Sequence, residues 1–223
     1  MKREACPLPL PLRSLPTVAG RCRLLEKMSR FLLTRRILSW VCARLGMAHR
    51  EVCMESGLAV VDVETSGLSP RGGGRVIEVA AVLLREGKVV GELESLLRVN
   101  CSIHPAAARV HGIGWEMLRH APEPEDVWRR FLSFVGRRPL VAHNAPFDMG
   151  FIRHELALLG LPLANRSICT LRMARRRFPE LASHRLEALA RHLLGSIPED
   201  CRLHRALGDA RLAARVWLAM NEP

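Results

Sequence analysis

The stretch LAVVDVETSGLS, which runs from Leu58 to Ser69, decides the fold that we predict for this 223-residue chain. An apolar run up to Val61 predicts a buried strand, and the Ser66-Gly67 pair predicts a turn directly after it. Asp62 and Glu64 alternate along that strand, so both carboxylates should lie on the same side of it. Neighbouring carboxylates repel each other unless a cation neutralises them. The stretch therefore predicts a strand that ends in a metal site, and the alternative is a strand end with two solvated acids.

The chain beyond this strand predicts the α/β class, with a five-stranded mixed sheet flanked by helices. Two further strands, Val76 to Leu84 and Val89 to Val99, are joined by a short turn and indicate an antiparallel meander. Pro139 to Ala142 and Ser167 to Cys169 supply the remaining strands. Helical patterns cover the rest of the chain, at Pro105 to Val110, Glu123 to Val135, Phe147 to Leu159, Thr170 to Phe178, Ser183 to Leu194 and Leu203 to Met220.

The composition predicts a polyanionic partner. The net charge is +12, from 34 Lys and Arg against 22 Asp and Glu, which favours nucleic acid first and an anionic membrane surface second. An arginine-rich composition also reflects genome base composition, so the net charge alone does not establish a polyanionic partner. No apolar run approaches the ~20 residues that span a bilayer. The seven cysteines are scattered without C-x-x-C spacing, which predicts reduced thiols in a cytoplasmic protein rather than a zinc site or disulfides.

Residues 1–55 differ from the rest of the chain, and we predict that they form an appendage to a domain of residues 56–223. The segment opens with the proline-rich PLPLPLRSLP, which predicts an extended chain, and continues with a helical pattern from Cys22 to Arg50. It carries 11 Lys and Arg against 4 Asp and Glu, so +7 of the net charge lies here. Such a segment could bind nucleic acid, a membrane or a partner, or pack on the domain.

Two further acids and a histidine lie in contexts that suit a metal site. Asp148, in HNAPFDMGF, falls in the first turn of a predicted helix, where the helix dipole favours an anion. His204 and Asp209, in HRALGD, lie just before and inside the last predicted helix. Taken singly, Asp148 and Asp209 are typical of ordinary helix acids, and His204 is typical of a helix cap or a surface residue. Together, four converging carboxylates could hold a pair of divalent cations, while His204 takes a proton from an attacking water, which predicts phosphodiester hydrolysis.

The motifs VVDVETSGL, VHGI, VAHNAPFDMGF and HRALGDA, in this order, resemble those of the DEDDh 3′→5′ exonucleases. The intervening sequence is most similar to the proofreading epsilon subunit of bacterial DNA polymerase III. This resemblance implies a ribonuclease H-like exonuclease fold and the release of nucleoside 5′-monophosphates from single-stranded DNA. It also implies two Mg²⁺ or Mn²⁺ ions bridged by Asp62, with Glu64 and Asp209 on one ion, Asp148 on the other, and His204 as the general base.

The same resemblance implies that Thr65, His111, His143 and Asn144 line the pocket for the 3′-terminal nucleotide. Alternatively, the last two stabilise a strand-to-helix turn and His111 caps its helix. Two rival functions remain open, an exoribonuclease acting on short RNA or tRNA ends, like oligoribonuclease and ribonuclease T, and a non-catalytic polymerase accessory subunit. Epsilon subunits continue past the catalytic domain into a segment that tethers the polymerase, whereas this sequence stops at Pro223, so docking on a DNA polymerase subunit is an open expectation.

Overall fold

The computed structural model describes residues 57–221 of the chain. The basic appendage that the sequence predicts at residues 1–55 lies outside the described residues. Within the described range, no helix combines the length and the apolar character that crossing a membrane requires.

Five strands form one mixed sheet, as the sequence predicts. They are β1 (Leu58–Thr65), β2 (Val76–Arg85), β3 (Lys88–Leu96), β4 (Leu140–Ala142) and β5 (Ser167–Cys169). The strand order is β3-β2-β1-β4-β5. The pairs β1–β2 and β2–β3 are antiparallel, which confirms the meander, and β1–β4 and β4–β5 are parallel. The central position of β1 places its side chains between the two helical layers that cover the sheet.

Seven α-helices and one short 3₁₀ turn, Pro70–Gly72, accompany the sheet in the described part of the chain. The helices are α1 (Pro105–His111), α2 (Trp115–Leu118), α3 (Pro124–Val135), α4 (Ala145–Leu158), α5 (Thr170–Arg177), α6 (Leu186–Leu194) and α7 (Ala206–Ala219). The sequence analysis missed α2 and the 3₁₀ turn, because four and three residues are too short to show a helical period.

Tertiary contacts move several helix and strand ends away from the predicted positions. The last helix begins at Ala206 rather than Leu203, because His204 adopts a left-handed φ of +57° and the Ala206 amide donates to the Glu78 carboxylate at 2.9 Å. Helix α4 begins two residues earlier than predicted, directly after Asn144, whose φ is +77°. Strand β3 ends at Leu96 rather than Val99. The start of α7 thus depends on a partner that is distant in sequence.

The alternation along β1 divides the hydrophobic core between the two faces of the sheet. Ala59, Val61 and Val63 point to one face, where they pack with buried residues of α3 and α4, among them Trp128, Phe131, Met149 and Ile152. Leu58 and Val60 point to the other face and pack with the alanines of α7. Because residues two apart share a face, Asp62 and Glu64 also face the α7 side of the sheet.

Helix α7 also packs closely on the loop that precedes it, at Gly208. A Cβ atom added to Gly208 would overlap the carbonyl oxygen and carbonyl carbon of Arg202, which are backbone atoms with no freedom to swing away. The loop that carries His204 therefore needs a residue without a side chain at this position of α7.

We expect Gly208→Ala and Gly150→Ala to change stability in opposite directions. Gly208→Ala should lower the free energy of unfolding by about 1–3 kcal/mol, because the backbone must shift to admit the methyl group. Gly150 lies exposed within α4 and an added Cβ would have no atom within 4 Å, so Gly150→Ala should raise that free energy by roughly 0.5–1 kcal/mol. Urea denaturation of both variants measures the two effects. A shift of the same sign in both would contradict the close approach at Gly208.

Candidate active site

Three of the carboxyl groups that the sequence singles out lie together on the α7 side of β1. One carboxylate oxygen from each of Asp62, Glu64 and Asp209 lies within 4.8 Å of the other two. The two strand residues reach this position by alternation along β1, and Asp209 reaches it from the first turn of α7. All three side chains are only partly buried, so a small ion could reach them from solvent. The geometry suits a cation site.

Asp148 approaches the same cluster from α4. The strands β1 and β4 pair only at Ala59 and Val60, so they diverge before Asp62 and leave room beside the second half of β1. The carboxyl of Asp148, in the first turn of α4, is only 3% exposed, and its charge acts on Asp62. Burial raises the pKa of Asp148, and the nearby backbone of Asp148 and Val63 opposes that rise. The structure thus brings all four predicted acids to one place.

Burial raises the pKa of every acid in the cluster, and repulsion between the acids adds to the rise at Asp62 and Glu64. For Asp62, burial has the largest effect and the charges of Asp148 and Asp209 add to it, so its pKa lies well above the usual range. Burial raises the pKa of Glu64 to about 8 and that of Asp148 to about 7. It raises the pKa of Asp209 to about 6, where the nearby His204 opposes the rise. Without a cation, the cluster therefore tends to hold protons near neutral pH.

The donor set fits a hard divalent cation. None of the four acids forms an ion pair with a basic side chain between residues 57 and 221. Mg²⁺ and Mn²⁺ prefer carboxylate oxygens, and their positive charge would offset the repulsion that raises these pKa values. The Arg205 guanidinium also lies near the cluster. It lowers the pKa of Glu64, but it is hydrogen-bonded to Glu78.

His204 lies beside the cluster in the turn before α7. Its backbone N–H donates to the Asp209 Oδ2 atom at 3.1 Å, so the histidine is tied to an acid of the cluster. Its imidazole is half exposed, and Nε2 lies 3.7 Å from the Glu187 Oε1 atom of α6. Glu187 is therefore the acidic neighbour of the imidazole on the α6 side. The sequence analysis assigned no role to Glu187.

A buried ion pair holds the chain immediately after His204. The Glu78 carboxylate on β2 is fully buried and accepts from the Arg205 Nε atom at 3.0 Å, from Arg205 Nη2 and from the Ala206 amide. Glu78 lies directly opposite Glu64 in the β1–β2 register, so the ion pair adjoins the cluster. The sequence analysis missed this pair, although a lone acid in the apolar strand VIEVAAVLL signals a buried partner.

Two of the predicted pocket residues, Thr65 and His111, lie near each other at the end of β1. The Thr65 hydroxyl donates to the Gly67 carbonyl at 2.7 Å. His111 is 5% exposed and its Nδ1 atom accepts from the Ile113 amide at 2.9 Å, which closes the end of α1. Burial lowers the pKa of His111, and the nearby Thr65 backbone opposes that change. The Thr65 hydroxyl and His111 Nδ1 have local partners, whereas His111 Nε2 is buried without a hydrogen-bond partner among the described residues. Contact of either side chain with a nucleotide stays a prediction.

The other two, His143 and Asn144, form the turn between β4 and α4. His143 Nε2 lies 2.9 Å from the His184 carbonyl, and Nδ1 lies 3.0 Å from the Thr170 hydroxyl. Burial lowers the pKa of His143 to about 4, so the ring is neutral and bridges two loops. Asn144 is exposed and makes no side-chain capping bond. These contacts favour a structural role for His143, and they leave the Asn144 side chain available to a ligand.

Comparison with known sequences shows what this chain is similar to. A family model described as RNase_T, Exonuclease, matches residues 59–217. The DNA polymerase III subunit epsilon of Rickettsia typhi is 37% identical over 175 residues, which cover 73% of this chain and 72% of that protein. An epsilon-like protein of Rhodobacter capsulatus is 39% identical, over 72% of this chain but only 23% of its own length. The match to that relative thus spans less than a quarter of its length.

Solved structures show the same fold. Exonuclease X in complex with 5′ overhanging duplex DNA aligns with a TM-score of 0.60 and 32% identity, over 73% of this chain and 90% of that one. The nuclease domain of 3′hExo, a DEDDh family member bound to rAMP, aligns with a TM-score of 0.62 and 17% identity, over 74% of this chain and 90% of that one. These alignments confirm the ribonuclease H-like exonuclease fold.

The raised pKa values predict how the stability of the metal-free protein depends on pH. The unfolded acids titrate near pH ~4, whereas the folded Asp209, Asp148 and Glu64 titrate at about 6, 7 and 8. Between these limits the folded chain binds more protons, so the free energy of unfolding should fall as pH rises from about 5 to about 8. Thermal melting in a chelator at several pH values measures this fall.

Substitution in the cluster provides the control for the pH dependence. Asp62→Asn should flatten the fall, because it removes one of the repelling charges, and added Mg²⁺ or Mn²⁺ should raise the melting temperature most at high pH. Asp126→Asn removes an exposed acid from the first turn of α3 and should leave the slope unchanged. A melting temperature that is independent of pH in the chelator would contradict the prediction that repulsion among these acids destabilises the metal-free protein.

Two ion pairs between α7 and the meander allow a matched test of the Glu78–Arg205 contact. Glu78→Gln should lower the free energy of unfolding by roughly 3–5 kcal/mol, because it leaves the Arg205 charge beside a buried neutral group. Glu92 makes the same two-pronged contact with Arg211, at 2.6 and 2.8 Å, but its side chain is 30% exposed. Glu92→Gln should therefore cost about 1 kcal/mol or less. Urea denaturation measures the free energy of unfolding of both variants. Equal losses would contradict the prediction that the buried ion pair contributes more than the exposed one.

Proposed function

The chain belongs to the RNase_T exonuclease family, and from this premise we propose that it is a divalent-metal-dependent 3′→5′ exonuclease acting on single-stranded DNA. It releases nucleoside 5′-monophosphates from the 3′ end. The observation that carries the proposal is the gathering of Asp62, Glu64 and Asp209 within 4.8 Å of one another, with Asp148 beside them and no basic partner among the described residues.

The four acids of the cluster hold the metal. Asp62 lies within 4.8 Å of Glu64 and Asp209, and the charge of Asp148 also acts on it, so Asp62 would be shared between the ions if two were bound. Bound Mg²⁺ or Mn²⁺ supplies Lewis-acid stabilisation of the charge that develops on the phosphate oxygens. The rigid elements β1, α4 and α7 fix the carboxylates before the substrate arrives, which lowers the cost of organising the site.

His204 is the general base of the reaction. Its imidazole accepts a proton from the attacking water while the water oxygen bonds to phosphorus. The bond from phosphorus to the 3′ oxygen of the preceding nucleotide breaks, and that oxygen takes a proton from solvent. The Glu187 carboxylate lies 3.7 Å from Nε2, on the side of the ring that faces α6. The bond from the His204 amide to Asp209 keeps the base next to the metal ligands.

Thr65, His111 and Asn144 are the groups that we propose to contact the terminal nucleotide, and His143 shapes the turn that presents Asn144. The likeness to Exonuclease X, which was solved with DNA at 32% identity, supports DNA as the polymer. The likeness to epsilon subunits of DNA polymerase III supports a role in proofreading or repair, with a polymerase as a possible partner. The family match begins at residue 59, which supports an exonuclease domain of residues 56–223 preceded by a separate basic segment.

Degradation of end-labelled single strands tests polarity, polymer and metal together. With Mg²⁺ or Mn²⁺, 5′-labelled DNA should shorten stepwise, whereas a 3′ label should appear at once as a mononucleotide. RNA of the same sequence should be degraded more slowly, and a chelator should stop both reactions. Release of a 5′ label first would contradict the proposed polarity, and faster cleavage of RNA would favour the exoribonuclease alternative. A chain that binds both strands without cleaving either would be an accessory subunit.

Single substitutions in the same assay assign the roles. Asp62→Ala and Asp148→Ala should abolish hydrolysis while leaving the fold intact, because each removes a metal ligand from a cluster of like charges. His204→Ala should lower turnover by roughly 10²–10⁴-fold, the usual contribution of a positioned base. His120→Ala replaces an exposed histidine outside the site and should leave turnover unchanged. Wild-type rates for either aspartate variant would refute the metal assignment.

A further inference from the structure

A groove of about 450 Å³ lies between α4, α5 and β5, at the edge of the sheet. Arg153 of α4 and Arg172 and Arg176 of α5 line it, together with Met149, Met173 and the exposed Ser167. The two α5 arginines are one helical turn apart, so they lie on the same face of the helix about 6 Å from each other along its axis. No acidic residue lines this groove. We call it the arginine groove.

The arginines of this groove lack the partners that other arginines of the domain possess. None of the three makes an ion pair with an acid in the range 57–221. A second groove, of about 320 Å³, offers a contrast because Glu92 and Asp200 line it as well as Arg211 and Arg215. There each arginine donates two bonds to an acid, at 2.6–3.0 Å. The arginine groove therefore presents positive charge that nothing within it neutralises.

The arginine groove begins next to the candidate active site. Ala145 and Pro146, in the first turn of α4, form one end of it, and that same turn carries Asp148 into the acidic cluster. Arg153 lies further along α4, and Arg172 and Arg176 line the groove from α5. A strand that leaves the cluster past the start of α4 would enter this groove and meet its guanidinium groups.

We propose that the arginine groove binds backbone phosphates of the substrate strand on the 5′ side of the bond that is cleaved. This inference rests on the proposed function, because it takes the 3′ end to lie at the acidic cluster. Guanidinium groups bind phosphate with paired hydrogen bonds, and two positions a helical turn apart can hold separate phosphates. The partly buried Met173 adds a deformable apolar side chain to the lining of the groove, which suits sugars and bases of any sequence. The bound class is thus a single-stranded phosphodiester chain, read without base specificity.

Binding of oligonucleotides of two lengths tests the arginine groove. The full-length chain carrying Asp62→Asn, which cannot cleave, is titrated with fluorescent single-stranded DNA of 4 and 12 nucleotides at several salt concentrations. Arg172→Gln with Arg176→Gln should reduce the slope of log affinity against log salt by roughly 1.4 for the 12-mer, since each lost contact contributes about 0.7. That change weakens binding of the 12-mer about 25-fold at roughly 0.1 M salt. The 4-mer should lose less.

Arg211→Gln with Arg215→Gln is the matched control, because it removes the same charge from the groove whose arginines are already paired. It should leave the salt slope for the 12-mer unchanged. Equal losses in both double variants would mean a general effect of net charge and would overturn the proposal, as would an unchanged affinity in the Arg172 and Arg176 variant.

Hydrolysis of a dinucleotide separates this proposal from the proposed function. A dinucleotide offers the phosphate that is cleaved but none further along the strand, so the Arg172 and Arg176 double variant with Asp62 intact should cleave it at the wild-type rate. A large loss of dinucleotide cleavage would mean that the two arginines act at the active site. It would overturn the proposal that they bind phosphates further along the strand. Failure of the wild-type chain to cleave the dinucleotide would count against the proposed function alone, because the binding measurements do not depend on cleavage.

Discussion

Repulsion among four carboxyl groups is the constraint on which the rest of the candidate site depends. Asp62, Glu64, Asp148 and Asp209 would separate if the elements that carry them were free to move. The two layers of the core prevent this, because α4 packs on one face of β1 and α7 on the other. The free energy of the core thus offsets an unfavourable arrangement, which becomes favourable when a cation binds.

Glu78 lies next to the cluster but, unlike the four acids of the cluster, it pairs with a basic side chain of the described residues. The carboxylate of Glu78, one strand away from Glu64, is paired with Arg205 and shielded from solvent. That pair fixes the start of α7 and, with it, the turn that holds His204 next to Asp209. One acid at this end of the sheet therefore serves the structure, whereas its neighbours could hold the cation that we propose. Among the described residues, the same contrast separates the paired arginines of α7 from the arginines of the arginine groove, which make no ion pair.

Local patterns in the sequence were enough to predict the antiparallel meander, the α/β class and the set of acids that meet. Alternation in LAVVDVET settles which side of β1 carries Asp62 and Glu64, because a strand has a period of two whatever surrounds it. The position of Asp148 in a first helical turn likewise follows from local signals around Pro146. Ordered motifs then identified the family. These features were predictable because each depends on neighbours within a few residues.

The contacts that support the site could be seen only in the folded structure. The start of α7 at Ala206 depends on a carboxylate that is 128 residues away in the sequence, and no local pattern marks it. Gly208, whose φ is helical, proved necessary only because the Arg202 backbone crosses it. Likewise, an arginine in the sequence carries the same charge whether it makes an ion pair, as Arg211 does, or makes none within residues 57–221, as is the case for Arg172. Pairing, burial and close approach are properties of contacts between distant segments, and the chain must fold before they exist.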